Sequence, residues 1–168
     1  MPIAGPLPGA RECSMLDFVT VDEIECGLPA SSKRQVLETL SKRAAKLTGL
    51  KAENIFAALL HREKLGSTGL GDGIAIPHAR IESLNRLFGI FARLDRPIDF
   101  EAVDDQPVDI VFLLLAPAET GTHHLNALSK IARALRDKRI CQELRRVQSS
   151  DAAFNLLQLA EKGNGRVA

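Results

Sequence analysis

His78 closes the segment "LGSTGLGDGIAIPHARI", Leu65 to Ile81, and that segment holds the chain's clearest chemical potential. Glycines at 66, 69, 71 and 73 leave backbone amides uncovered, and Ser67 and Thr68 add hydroxyls. Such a surface can form an anion-binding nest. Ile76 stands before Pro77 and is biased toward an extended conformation, while Pro77 has its own φ fixed. His78 is thus delivered from a stiffened backbone at a strand end. An imidazole so held could meet a reactive group repeatedly, or it could be a structural histidine after a turn proline. Spacing alone leaves both open.

Two nucleotide readings of the glycines fail. A P-loop needs a Lys-Ser/Thr pair after its last glycine, but Gly71 is followed by Asp72 and Gly73 by Ile74. The dinucleotide fingerprint needs a strand before the glycines and a helix after them, and here the predicted order is the reverse.

Other side chains could serve the same site. In the predicted helix Ala52 to Lys64, Glu63 falls on the line of Phe56, Leu59 and Leu60, with Arg62 at the edge. Arg62 could clamp phosphate oxygens, or be a solvated helix-end cation favoured by the dipole. Glu63 could hydrogen-bond an imidazole or pair with Arg62. In a helix after Thr122 the inward stripe reads Leu125, Leu128, Ile131, Ala132 and Leu135, with His124 in its middle and His123 pointing away. His124 could reach a pocket rim from the first turn, or be a core-edge histidine bonded to backbone. His61 lies opposite its helix's apolar face and reads as a surface residue. Asp99, Glu101, Asp104, Asp105 and Asp109 lack a consistent ligand spacing, so a solvated loop is expected rather than a metal site. Arg133, Arg136, Lys138, Arg139, Arg145 and Arg146 read as a basic helix surface that could meet an acidic partner.

The elements that must hold these residues follow from periodicity. Asp22 to Leu28 suits a short strand closed by Pro29. Ser31 or Ser32 can cap a helix that buries Val36, Leu37, Leu40, Ala44 and Leu47 and ends at Gly49. The second helix buries Ile55, Phe56, Leu59 and Leu60. Strands are expected at "IAI", at Arg86 to Asp95, and at Val108 to Pro117, the last apolar enough to be buried on both faces. Thr120 or Thr122 would cap a helix to about Asp137, "RICQELRRV" another, and Ser149 or Ser150 a last one through Lys162. Strands interleaved with helices, at least one of them fully apolar, predict an α/β sandwich in a chain of single-domain length.

Bulk composition narrows the function classes. The 168 residues carry 22 basic and 21 acidic side chains, a balance that argues against wholesale nucleic-acid binding. Seven Phe with no Trp or Tyr supply few stacking platforms. The longest apolar run, Ile110 to Ala116, is far too short to span a membrane, so no membrane insertion is expected. Residues 1–11 lack a secretory pattern and read as a poorly ordered leader before a domain over 12–162, with 163–168 as a tail. Three cysteines, Cys13, Cys26 and Cys141, without a CxxC pair fit a reduced cytoplasm and no zinc site.

"REKLGSTGLGDGIAIPHARI", with "DDQPVDIVFLLLAP", "HLNALSKIARALRDKRIC" and the "LRRVQSSDAAFNLL" tail, resembles the phosphotransferase-system enzyme IIA domains of the mannitol/fructose class. The likeness is greatest to the nitrogen-regulatory branch, enzyme IIA-Ntr. It implies an α/β fold, a single-domain mixed sheet flanked by helices, and a phosphocarrier: the "IPH" histidine, here His78, accepts a phosphoryl group from an HPr-like protein. The family's arginine and second histidine match Arg62 and His124, which completes an expected catalytic set. Glu63, Gly66, Ser67, Thr68, Gly69 and Pro77 would line the phosphate pocket. No metal and no cofactor is implied. The expected role is regulatory, through partners such as potassium-transport or sensor-kinase components, since no permease-like or IIB-like segment is seen. The alternative is a sugar-specific IIA passing phosphate to a IIB component in uptake.

Overall fold

The structure, a computed structural model, describes residues 18–19, 21–119 and 122–166. The expected leader, Cys13 and Thr120 lie outside the described residues. A 3-10 turn at Val21–Glu23 occupies the start of the expected first strand, and β1 runs over Ile24–Leu28. Helices α1 (Lys33–Thr48) and α2 (Ala52–Lys64) follow. Then come the short strands β2 (Gly69–Gly71), β3 (Ile74–Ala75) and β4 (His78–Ile81), and the long ones β5 (Phe88–Ile98) and β6 (Val108–Pro117). Helices α3 (His123–Ala134), α4 (Lys138–Leu144) and α5 (Ser150–Arg166) complete the described chain.

The strands form one mixed sheet in the order β1-β5-β6-β3-β2, with β4 also on β6. β6 is its axis, antiparallel to β5 and parallel to β3 and β4. Alternation sends Ile110, Phe112 and Leu114 into a core shared with α3, α4 and α5. Val111, Leu113 and Leu115 enter a second core against α1 and α2. A strand with helices on both faces must be apolar on both, which is why Val108–Pro117 reads as one unbroken run.

β3 and β4 are two pieces of one line. Ile74 lies opposite Ile110 and His78 opposite Leu114, the same offset along β6. Pro77 interrupts the line because it has no N–H, yet its carbonyl accepts from Leu114 N–H at 2.9 Å. The proline is tolerated because β4 pairs with β6 alone and so is an edge. His78 therefore opens a strand rather than ending one.

Helix ends follow local chemistry. Ser32, not Ser31, caps α1, its hydroxyl accepting from Gln35 N–H at 3.1 Å. Gly49 closes α1 at φ 80°, a left-handed conformation that glycine adopts without a Cβ penalty. Ser149 caps α5 by accepting from Ala152 N–H at 3.1 Å. Two stripe assignments are corrected. Leu47 is 41% exposed, because burial of the α1 stripe stops at Ala44 and its last turn lies beyond the covered face. Leu125 is 57% exposed, and the buried line of α3 is His124, Ala127, Ile131, Ala134 and Leu135. That line centres about 120° from Leu125 on the wheel, and two of its five residues are alanines, whose apolar signal is weaker than leucine's.

Candidate active site

The site forms where α2 ends, β4 begins and α3 begins. β4 is an edge strand, so a side chain from α2 can reach past it to the face where α3 packs. Arg62 does this: its Nε donates to His78 Nε2 at 3.3 Å and its NH1 to the Gly66 carbonyl at 2.9 Å. On the other side of the imidazole, His78 Nδ1 lies 2.8 Å from the Ile76 carbonyl. A carbonyl only accepts and a guanidinium only donates, so these contacts fix the tautomer. The proton sits on Nδ1, and Nε2 carries the lone pair.

His124, on the first turn of α3, faces His78 with ring centroids 5.4 Å apart and planes tilted by 47°. It is 7% exposed, and among the described residues neither ring nitrogen has a hydrogen-bond partner. Buried polar atoms normally have partners, and on His124 the two exceptions lie on a ring that faces another imidazole. Burial pushes His124 down to about 4, helped by the neighbouring charges of His78, Arg80 and Arg62. His78 is also lowered, first by burial and then by Arg62, against the raising effects of the Ile76 hydrogen bond and Glu63. Both imidazoles are thereby held neutral near pH 7.

The glycine segment is braced more than it is open. Thr68 donates its N–H at 3.1 Å to Glu63 Oε1 and its hydroxyl to Glu63 Oε2. The Ser67 hydroxyl donates to the Phe100 carbonyl at 3.1 Å and accepts from Gly69 N–H at 3.0 Å. Both hydroxyls are thus spent inside the protein, which corrects the expectation that they face an incoming anion. Gly69 is required sterically: a Cβ there would meet the Ala102 Cβ at 2.8 Å. Gly66 contributes its carbonyl to Arg62, and Pro77 contributes its carbonyl to Leu114. Gly69–Gly71 forms a strand that periodicity could not show, since glycine has no side chain to alternate.

Glu63 bonds neither of its expected partners. Its carboxylate pairs with Lys33 at 2.8 Å as well as with Thr68. Lys33 carried no signal in the sequence, because its contact depends on how α1 packs on α2. His61 is exposed, as its position on the wheel implies. The acidic connector is consumed structurally: Asp104 accepts from Asp72 and Gln106 N–H, and Asp109 pairs with Arg145. Among the described residues, no group of three or more His, Cys, Asp and Glu side chains could hold a metal ion. Cys26 and Cys141 are free thiols, both raised mainly by burial.

A three-layer α/β/α domain with two neutral imidazoles and one arginine at a sheet edge defines a narrow class. The family model for the phosphoenolpyruvate-dependent sugar phosphotransferase system, EIIA 2, matches residues 17–160. A nitrogen regulatory protein of Bradyrhizobium diazoefficiens is 50% identical over 143 residues, covering 85% of this chain and 94% of that protein. The nitrogen regulatory protein of Escherichia coli K12 is 43% identical over 148 residues, 88% of this chain and 85% of that one. The crystal structure of nitrogen regulatory protein IIA-Ntr from Neisseria meningitidis superimposes with a TM-score of 0.80 at 34% identity, covering 84% and 97% of the two chains. The chain belongs to the phosphotransferase-system EIIA type-2 family. Among the described residues no helix is long and apolar enough to cross a membrane.

Proposed function

We propose that this chain is a regulatory phosphocarrier of the nitrogen-related phosphotransferase system, and that His78 is its phosphoryl acceptor. The observation that carries the reading is the tautomer: Nδ1–H is tied to the Ile76 carbonyl, and the Nε2 lone pair accepts from Arg62, with the His124 ring 5.4 Å away between centroids. The donor is an HPr-like protein phosphorylated on histidine. The Nε2 lone pair forms the new N–P bond as the donor's N–P bond breaks and its electron pair returns to the donor imidazole. A donor ring protonated on its other nitrogen leaves neutral, and His78 keeps its Nδ1 proton.

Arg62 must leave the lone pair as phosphorus arrives, and its guanidinium then serves the equatorial oxygens. The His124 N–H, without a partner in the resting site, is a second donor to those oxygens. Partners would read the result electrostatically, since a phosphoryl group places close to two negative charges at the site. Potassium-transport and sensor-kinase components are the candidate targets.

The test is intact-mass analysis after incubation with phosphoenolpyruvate, enzyme I and the HPr-like carrier. Wild type gains one acid-labile phosphoryl group and His78→Ala gains none. No gain by wild type with active controls, or equal gain by the variant, overturns the acceptor assignment. Efficient onward transfer to a fructose- or mannitol-type IIB component would replace the regulatory role with a transport role.

A further inference from the structure

Glu63 is a carboxylate whose side chain is 3% exposed, a burial that is costly unless its charge is paired and hydrogen-bonded. Its partners form a continuous path. Lys33 Nζ, on the first residue of α1, stands 2.8 Å from Glu63 Oε1. Thr68 N–H donates to the same oxygen at 3.1 Å. The Thr68 carbonyl accepts from Ile76 N–H at 3.0 Å, and the Ile76 carbonyl faces His78 Nδ1 at 2.8 Å. Lys33 is itself fixed by Glu101 at 3.4 Å and by the Phe100 ring, 5.1 Å away.

Glu63 is also next in sequence to Arg62, whose guanidinium serves His78 and Gly66. Without its lysine the buried carboxylate loses the charge that offsets its burial and holds it on Thr68.

We propose that Lys33 and Glu63 form a positioning pair for His78: the lysine holds the carboxylate on Thr68, and Thr68 holds Ile76. Ile76 in turn holds the imidazole with its lone pair on Nε2. This deepens the phosphoryl-acceptor reading and rests on it. Neither residue touches the reacting atoms. Each acts by fixing the tautomer.

The test compares Lys33→Met, Lys33→Arg, Glu63→Gln and the double variant Lys33→Met/Glu63→Gln. Two readouts are taken: the 15N NMR tautomer signature of His78 in the unphosphorylated protein, and the rate of phosphoryl uptake. Lys33→Met is expected to slow uptake about tenfold and to mix the two tautomers, while Lys33→Arg keeps both near wild type. The double variant is expected to recover to within about threefold of wild type, since the residues act as a coupled pair and the amide still accepts from Thr68 N–H. Should Lys33→Met not fold, Lys33→Gln replaces it in both variants.

A single Nδ1–H tautomer in every variant, or rate losses that multiply in the double variant, overturns the proposal. The tautomer readout needs no phosphoryl donor. A wild type that takes up no phosphate therefore sinks the acceptor reading, while the NMR still decides on the positioning pair.

Discussion

Two ends of β6 each place an arginine among polar groups, about 16 Å apart by strand rise, and they treat those groups oppositely. At the Asp109 end, Arg145 Nε bonds both carboxylate oxygens at 3.0 and 2.9 Å, and its NH2 bonds the Asp72 carbonyl at 3.0 Å. Asp104 beside it takes two backbone N–H groups. At the His78 end, among the described residues, Arg62 bonds no carboxylate, only an imidazole nitrogen and a carbonyl. His124 there leaves both ring nitrogens without partners. A cluster whose carboxylates are taken up in this way holds the fold together, and its leftover donor, Arg93 Nε, belongs to a side chain already bonded to the Arg145 carbonyl at 2.8 Å. One left wanting has free energy to spend on a ligand, and its donors are already in place.

That contrast can be broken most forcefully at Arg62. Arg62→Gln removes the guanidinium bonded to His78, and phosphoryl uptake is expected to fall roughly 100-fold or more while the melting temperature holds. Uptake within about threefold of wild type, by quench-flow labelling, would show that the arginine serves the fold instead.

His124→Leu sharpens the contrast, because it separates binding from stability. Uptake is expected to slow about tenfold, yet stability at pH 7 stays level or rises, since an unsatisfied buried polar group is replaced by an apolar one. The pH dependence follows in sign. Unfolded His124 takes a proton near 6.5, whereas the folded residue resists until about 4, so the folded state binds fewer protons in that window. Wild-type stability therefore falls as pH drops from 6.5 toward 4, and His124→Leu flattens that fall. Denaturant unfolding at a series of pH values reads this directly, and parallel curves for the two proteins would contradict it.

The smallest effect on function is expected at the opposite end. Asp109→Asn weakens a charged pair whose members are 19% and 32% exposed, so about 1–2 kcal/mol of stability should be lost, with uptake unchanged. A matching loss of uptake would mean that the two ends are coupled through β6.

Most of the fold was legible because its strongest signals are local. The apolar run Val108–Pro117, bounded by Pro107 and Pro117, reads as a strand buried on both faces, and the α2 stripe with its polar end points to a helix at about Ala52–Lys64. His124 was placed correctly on the inward line of α3, although Leu125 was placed there too. Leucine is a strong apolar signal, whereas the alanines that pack against the sheet are weak ones. At the site, residue types pointed to Arg62, His78 and His124, and the geometry brings those three together. The partners of Glu63 were not legible, since Lys33 reaches it only once α1 and α2 are packed. Nor was the fate of the Ser67 and Thr68 hydroxyls, which turn inward to Phe100 and Glu63. A sequence shows which groups could bind an anion but not which are already occupied.

The central claim is that His78 accepts a phosphoryl group on the nitrogen its backbone leaves unprotonated. It is tested most directly by NMR of the 15N-histidine-labelled, phosphorylated protein, reading 31P–15N coupling on the His78 ring. Coupling to Nε2, with Nδ1 still protonated against Ile76, is the predicted result. Coupling to Nδ1, or to a ring other than that of His78, would contradict the account.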